Sequence, residues 1–137
     1  MGLPNITIAL RADNNLYLSR VTRNGVNYIE AVKSGIDIYS RYKLIQLSTN
    51  TIALLADSGL YLSRITRSGG DYIEAAKSSI DIYSTFTVVD VGCNVIALRA
   101  DNGKYLSRIT LNGVDYIKPD KVNLDVYCHF KVTTLIE

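Results

Sequence analysis

The strongest constraint in this chain is a repeat of 44 residues. Ala9-Leu10, Ala53-Leu54 and Ala97-Leu98 recur at that spacing, as do Tyr17-Leu18-Ser19-Arg20, Tyr61-Leu62-Ser63-Arg64 and Tyr105-Leu106-Ser107-Arg108. Tyr28-Ile29, Tyr72-Ile73 and Tyr116-Ile117 follow, then Asp37-Ile38-Tyr39, Asp81-Ile82-Tyr83 and Asp125-Val126-Tyr127. The register holds without insertion through units 6–49, 50–93 and 94–137, and 16 of their 44 positions are identical in all three. A unit this short cannot bury a core of its own, so the copies must share one.

Within a unit the apolar period is two, the mark of strands. Ile8, Leu10 and Ala12 alternate with Ala9 and Arg11, and a turn follows at Asp13-Asn14-Asn15, Asp57-Ser58-Gly59 or Asp101-Asn102-Gly103. A second strand through Leu18 ends at Asn24-Gly25, Ser68-Gly69 or Asn112-Gly113, where a hairpin needs positive φ. A third carries Tyr28, Ile29 and Ala31, and a fourth is expected from Asp37 through Tyr39, Tyr42 and Leu44 to Leu47. Pro119 falls in the third strand of the last unit and predicts an edge or an early end there. Four strands in each of three units give an all-β fold of twelve, and closure about a three-fold axis gives a β-trefoil, a single domain over 1–137. A three-bladed propeller competes, but propellers usually need four blades or more. Ile8, Leu10, Leu18, Ile36, Tyr42 and Leu44, with their 44-shifted mates, are the expected barrel filling. Tyr39, Tyr83 and Tyr127 are expected in the core or at the barrel bottom.

Composition narrows the function. The 137 residues hold 15 Lys plus Arg against 13 Asp plus Glu, a net charge of +2 that announces neither nucleic acid nor a membrane surface. An apolar fraction of 47% excludes disorder, and no run is long enough to span a bilayer. Cys93 and Cys128 occupy unrelated places in the repeat and are expected as free thiols, with one disulfide between them as the alternative. The opening Met1-Gly2-Leu3-Pro4-Asn5 lacks the pattern of a secretory signal, so the expectation is a cytoplasmic protein.

Nothing in the spacing points to catalysis, a metal or a cofactor. One histidine, His129, has Arg41 and Thr85 as its counterparts, and no phosphate loop, nucleophile elbow or dinucleotide fingerprint occurs. Repetition favours binding, because three weak sites give a multivalent ligand avidity. Asp13, Asp57 and Asp101 open the first hairpin, where an Asx turn would explain them without a ligand. Tyr28, Tyr72 and Tyr116 each follow a short polar residue, Asn27, Asp71 or Asp115. Aromatic ring plus carboxylate or amide suits a small polyhydroxylated ligand, and closing the hairpin cap is the other use for the rings. Ser19, Ser63 and Ser107 read as packed strand residues with a cross-strand hydrogen bond. Arg20, Arg64 and Arg108 with Lys33, Lys77 and Lys121 read as a solvated rim of ion pairs, or as a polyanion face if they converge. Glu30 and Glu74 are expected to offset Lys33 and Lys77.

The string from Ile96 to Ser107, with Asp101-Asn102-Gly103-Lys104-Tyr105-Leu106 at its centre and Leu3-Pro4 ahead of Ile8-Ala9-Leu10, resembles a repeat of amaranthin-type agglutinins. The Asn-Gly-Lys-Tyr-Leu core and the later Tyr83-x-x-Phe86 and Tyr127-x-x-Phe130 are also similar to fascin. Both are β-trefoil families. The agglutinin likeness implies glycans or glycoproteins as partners and often a homodimer; the fascin likeness implies actin cross-linking. A purely structural or protein-interaction module is the third reading. The chain has no Trp, which sets it apart from the Gln-x-Trp lectins and from the tryptophan-bearing amaranthin domains.

Overall fold

In the computed structural model, which describes residues 6–135, twelve strands carry the repeat into three dimensions. Unit one contributes β1 (Ile6–Arg11), β2 (Tyr17–Arg23), β3 (Val26–Lys33) and β4 (Tyr42–Gln46). Unit two contributes β5 (Thr51–Leu55), β6 (Tyr61–Arg67), β7 (Gly70–Lys77) and β8 (Phe86–Gly92). Unit three contributes β9 (Val95–Arg99), β10 (Tyr105–Leu111), β11 (Val114–Lys121) and β12 (Phe130–Leu135). The first and fourth strands pair antiparallel in a closed circuit, β1–β4–β5–β8–β9–β12–β1. The hairpins β2–β3, β6–β7 and β10–β11 cap one end and touch through Tyr28 opposite Glu74 and Tyr116 opposite Glu30. A six-stranded barrel closed by three hairpins is the β-trefoil.

Alternation sends Ile8, Leu10, Leu18 and Tyr42, with mates such as Leu54, Leu98, Phe86 and Phe130, into one core. Ile29, Ile73 and Ile117 of the cap are fully buried with them. Three expectations are corrected. Ile36 is only partly buried, and Ile80 and Leu124 are exposed, because they lie in the loop before the fourth strand. That strand starts at Tyr42 and not at Asp37: Asp37 caps a 3-10 turn, Ile38–Ser40, accepting from Tyr39 N while Ser40 Oγ accepts from Asp37 N. Tyr39, Tyr83 and Tyr127 therefore stand on 3-10 turns, 40%, 39% and 42% exposed, and none fills the core.

Pro119 does not end β11, whose second neighbour, β3, meets it only at Tyr116 and leaves the stretch at Pro119 paired on one side. Pro119 is buried opposite Leu106, where the ladder shifts register between Tyr105 and Leu106, and β2–β3 and β6–β7 shift at the same place. The residue left out of the register is Asp120, so Pro119 adjoins a bulge, one of the places where a sheet accepts proline. Among the described residues the buried Ser19, Ser63 and Ser107 hydroxyls find no hydrogen-bond partner, contrary to the cross-strand bond expected of them. Cys93 and Cys128 are free, one exposed and one buried.

Tyr42 is the one core tyrosine among the described residues, and its hydroxyl donates to Leu18 O at 3.0 Å. Phe86 and Phe130 do without that bond at the equivalent places. Tyr42→Phe is expected to cost about 1 kcal/mol or less. Tyr42→Ala, which opens a cavity in the core, is expected to cost about 3–5 kcal/mol. Urea unfolding midpoints check both.

Candidate functional site

The hairpin turns and the second strands place an arginine of each unit against an aspartate of the next. Arg20 Nε and Nη2 donate to the two carboxylate oxygens of Asp57, each at 2.8 Å. Arg64 does the same to Asp101, at 2.8 Å on both arms, and Arg108 to Asp13 at 2.8 and 2.9 Å. Unit one holds unit two, two holds three, and three holds one. The third arm of each guanidinium turns back into its own unit: Arg20 Nη1 donates to Asn27 at 3.0 Å and Thr22 at 3.3 Å. Arg64 meets Asp71 and Thr66, and Arg108 meets Asp115 and Thr110.

A two-pronged, charge-assisted pair fixes distance and plane together. The arginine side chains are only 14–16% exposed, so these are not the solvated rim pairs expected. Nor does the Asp make the Asx turn of the first hairpin. Asn14 accepts there from Leu16 N, and Asn102 from Lys104 N, which leaves the aspartate free for the neighbouring unit. The hydrogen bond from Arg20 holds the Asp57 carboxyl below the usual range, and Asp57 in turn raises Arg20. At Asp71 burial pushes the carboxyl up, and the Thr66 hydroxyl and Arg64 together more than reverse it.

A tyrosine completes each cluster. The Arg20 guanidinium carbon stands 5.3 Å from the centroid of the Tyr39 ring, and Lys33 Nζ stands 5.4 Å from it. Tyr83 lies between Arg64 and Lys77 at 5.2 and 5.3 Å, and Tyr127 between Arg108 and Lys121 at 5.4 Å each. The lysines are themselves fixed by the aspartates that cap the 3-10 turns: Lys33–Asp37 at 2.9 Å, Lys77–Asp81 at 3.2 Å and Lys121–Asp125 at 3.1 Å. In unit one the ring, Arg20, Thr22, Val32 and Lys33 line an open cleft of about 480 Å³. In unit three Tyr127, Arg108, Ile109, Thr110 and Lys121 line one of about 310 Å³. Two cations face two carboxylates beside Tyr39, and Asp71 and Asp115 add a third carboxylate beside Tyr83 and Tyr127. The clefts are neutral to slightly acidic, so they are not a polyanion face.

The predicted site residues separate into two places. Asp57 and Asn27 meet on Arg20, Asp101 and Asp71 on Arg64, and Asp13 and Asp115 on Arg108. Tyr28, Tyr72 and Tyr116 are elsewhere. Their partly buried rings meet one another edge to face at the three-fold axis, with centroids 5.1–5.3 Å apart. Around them Arg23 pairs with buried Glu30 at 2.6 Å, and Arg67 pairs with buried Glu74, so neither glutamate offsets Lys33 or Lys77. Unit three changes both partners, to Leu111 and Lys118. Lys118 Nζ sits 4.2 Å from the Tyr72 centroid and donates to Gly69 O at 3.3 Å. Gly70, where the other units have Val26 and Val114, gives it room: a Cβ there would stand 3.3 Å from Nζ.

Comparison with known proteins agrees on the fold and stops there. No protein-family model matches the sequence, and a search of curated proteins gave no significant match. A designed three-fold symmetric protein, ThreeFoil, superposes with a TM-score of 0.79 at 17% identity, over 94% of this chain and 99% of that one. A mosquitocidal holotoxin matches 95% of this chain with 17% of its own length, at TM-score 0.78 and 15% identity. The Polyporus squamosus lectin, solved with the human-type influenza-binding epitope Neu5Aca2-6Galb1-4GlcNAc, matches 96% of this chain with 49% of its own, at TM-score 0.73 and 10% identity. The chain is a β-trefoil, a fold that lectins and toxins share.

Removing one side of a half-buried clamp leaves the other charge unpaired, so Asp57→Ala is expected to cost about 1–3 kcal/mol, between exposed and buried pairs. Because the folded Asp57 carboxyl lies below its unfolded value of about 3.9, its contribution is complete above about pH 5 and is lost as pH falls through the folded value. Urea midpoints from pH 6 to 2 are expected to fall less steeply for Asp57→Asn than for the wild type.

Proposed function

We propose that the chain is a carbohydrate-binding, lectin-like module whose ligand enters the three clefts beside Tyr39, Tyr83 and Tyr127. One observation carries the reading: the same exposed ring, flanked by threonine, lysine and a clamped arginine–carboxylate pair, recurs at three symmetry-related places. A sugar has apolar C–H faces and a ring of hydroxyls, and needs both halves of such a surface. The cations hold each tyrosine ring in place before any ligand arrives, which lowers the ordering cost of binding. Asp13, Asp57 and Asp101 keep free lone pairs for ligand hydroxyls beyond those their arginines occupy, as do Asn27, Asp71 and Asp115. The near-neutral charge of the clefts suits a neutral saccharide.

In this reading Tyr28, Tyr72 and Tyr116 close the cap and the Tyr39 set supplies the platforms. The module binds without catalysis and works in the cytoplasm; the free cysteines and the likeness to amaranthin-type repeats support that setting and ligand class. Three shallow sites give weak individual affinity and strong avidity toward branched or clustered glycans.

A broad glycan array with the untagged protein tests this. The wild type is expected to give a hit series sharing one terminal sugar, and Tyr39→Ala/Tyr83→Ala/Tyr127→Ala is expected to lose it. Tyr28→Phe, which keeps the axial ring, is expected to leave it unchanged. A blank array for the wild type, or undiminished signal from the triple variant, would defeat the proposal.

A further inference from the structure

Outside the clefts the charges of this chain are distributed unevenly. In the hairpin cap and the clefts every cation but Lys118 has a carboxylate partner. Around β1 the reverse holds. Thr7, Ala9 and Arg11 alternate with the inward Ile8 and Leu10; Thr7 and Ala9 are covered by their surroundings, and Arg11 is the one of the three that reaches the surface. Arg11 stands directly opposite Lys131 of β12, and Thr7 stands opposite Lys43 of β4. Arg41, just before β4, lines a groove of about 390 Å³ with Lys43, Thr7, Leu55, Ile38 and Asp57. Among the described residues Arg11, Arg41, Lys43 and Lys131 form no ion pair, and the nearby Asp13 and Asp57 are occupied by Arg108 and Arg20.

Symmetry shows that the fold does not require this. The three equivalent seams of the barrel pair Lys131 with Arg11, Lys43 with Leu55 and Thr87 with Arg99. Only the first sets two cations face to face, an arrangement that costs stability unless an anion lies between them. Strand spacing puts Lys43 and Lys131 two strands apart and four residues along, roughly 16 Å, so separate anionic groups of one extended chain would meet the two ends. Ile38 and Leu55 line the groove beside Arg41 and Lys43, and cations spaced over that length suit the regularly repeated charges of one extended polymer.

We propose that the outer face of the barrel around β1 binds an acidic polysaccharide. Its sulfate or carboxylate groups sit at Arg11–Lys131 and at Arg41–Lys43. The choice of a saccharide backbone rests on the carbohydrate-binding reading, whereas the anionic requirement rests on the charges alone.

Titration with labelled dextran sulfate, with neutral dextran as the uncharged probe, tests it. Wild type is expected to bind the sulfated polymer only, with affinity falling steeply as NaCl rises. Arg11→Gln/Lys131→Gln and Arg41→Gln/Lys43→Gln are each expected to weaken binding about tenfold or more at low salt and to flatten the salt dependence. Arg99→Gln/Lys104→Gln removes the same net charge at another seam and is expected to change binding less than about twofold. Equal losses in all three double variants would reduce the effect to net charge and overturn the site. So would absent binding by the wild type, or loss of F-actin co-sedimentation in the β1-face variants with dextran sulfate binding intact. The Tyr39→Ala/Tyr83→Ala/Tyr127→Ala variant is expected to keep dextran sulfate binding, so failure of the cleft reading and failure of this one are told apart.

Discussion

A guanidinium held flat against a carboxylate of the neighbouring repeat occurs three times in this molecule, and the three together form a closed ring. Barrel strands already pair between units, but backbone ladders tolerate sliding and splaying at their ends. The Arg20–Asp57, Arg64–Asp101 and Arg108–Asp13 clamps fix how far each hairpin stands from the next unit's first turn. The same guanidinium also binds Thr22 and Asn27 or their counterparts, so it orients its own hairpin. Through its place over Tyr39, Tyr83 or Tyr127 it sets one wall of each cleft. Structure and candidate site therefore hang on the same side chains.

Symmetry is kept where closure demands it and released where it does not. At the axis the three tyrosines must be alike to meet edge to face, and such contacts are worth about 0.5–1.5 kcal/mol each beyond burial. Beside them unit three exchanges the Arg–Glu pair for Leu111 and Lys118, and Gly70 supplies the space. The buried ammonium is satisfied by a carbonyl and a ring face. On the barrel's outer side no such closure operates, and there the units diverge most: Leu55 answers Arg11 and Arg99, and Thr87 answers Lys43 and Lys131.

Much of the fold was legible in the sequence because its signals are local. Alternation at Ile8, Leu10 and Leu18 gave the barrel and hairpin strands, and Asn24-Gly25 and Asn112-Gly113 turn with positive φ as required. The stretch from Asp37 through Tyr39 to Tyr42 reads as the start of a strand, whereas Asp37-x-x-Ser40 is the capping box of the 3-10 turn at Ile38–Ser40. The clamps were not legible. Arg20 and Asp57 are 37 residues apart, and each is a residue type usually found in water. Only the handedness of closure about the axis decides which Asp meets which Arg. The same closure draws Tyr28, Tyr72 and Tyr116 together and leaves Asn27, Asp71 and Asp115 facing the other way, although they are adjacent in sequence.

A double-mutant cycle on Arg108 and Asp13, the clamp that joins the last unit to the first, is the most direct test of this account. Stability is measured for the wild type, Arg108→Ala, Asp13→Ala and the double variant at neutral pH. The clamp account requires a coupling of about 1–3 kcal/mol, with the double variant little worse than either single one. Additive losses with coupling below about 0.5 kcal/mol would show that the repeats close without the clamps, and would contradict it.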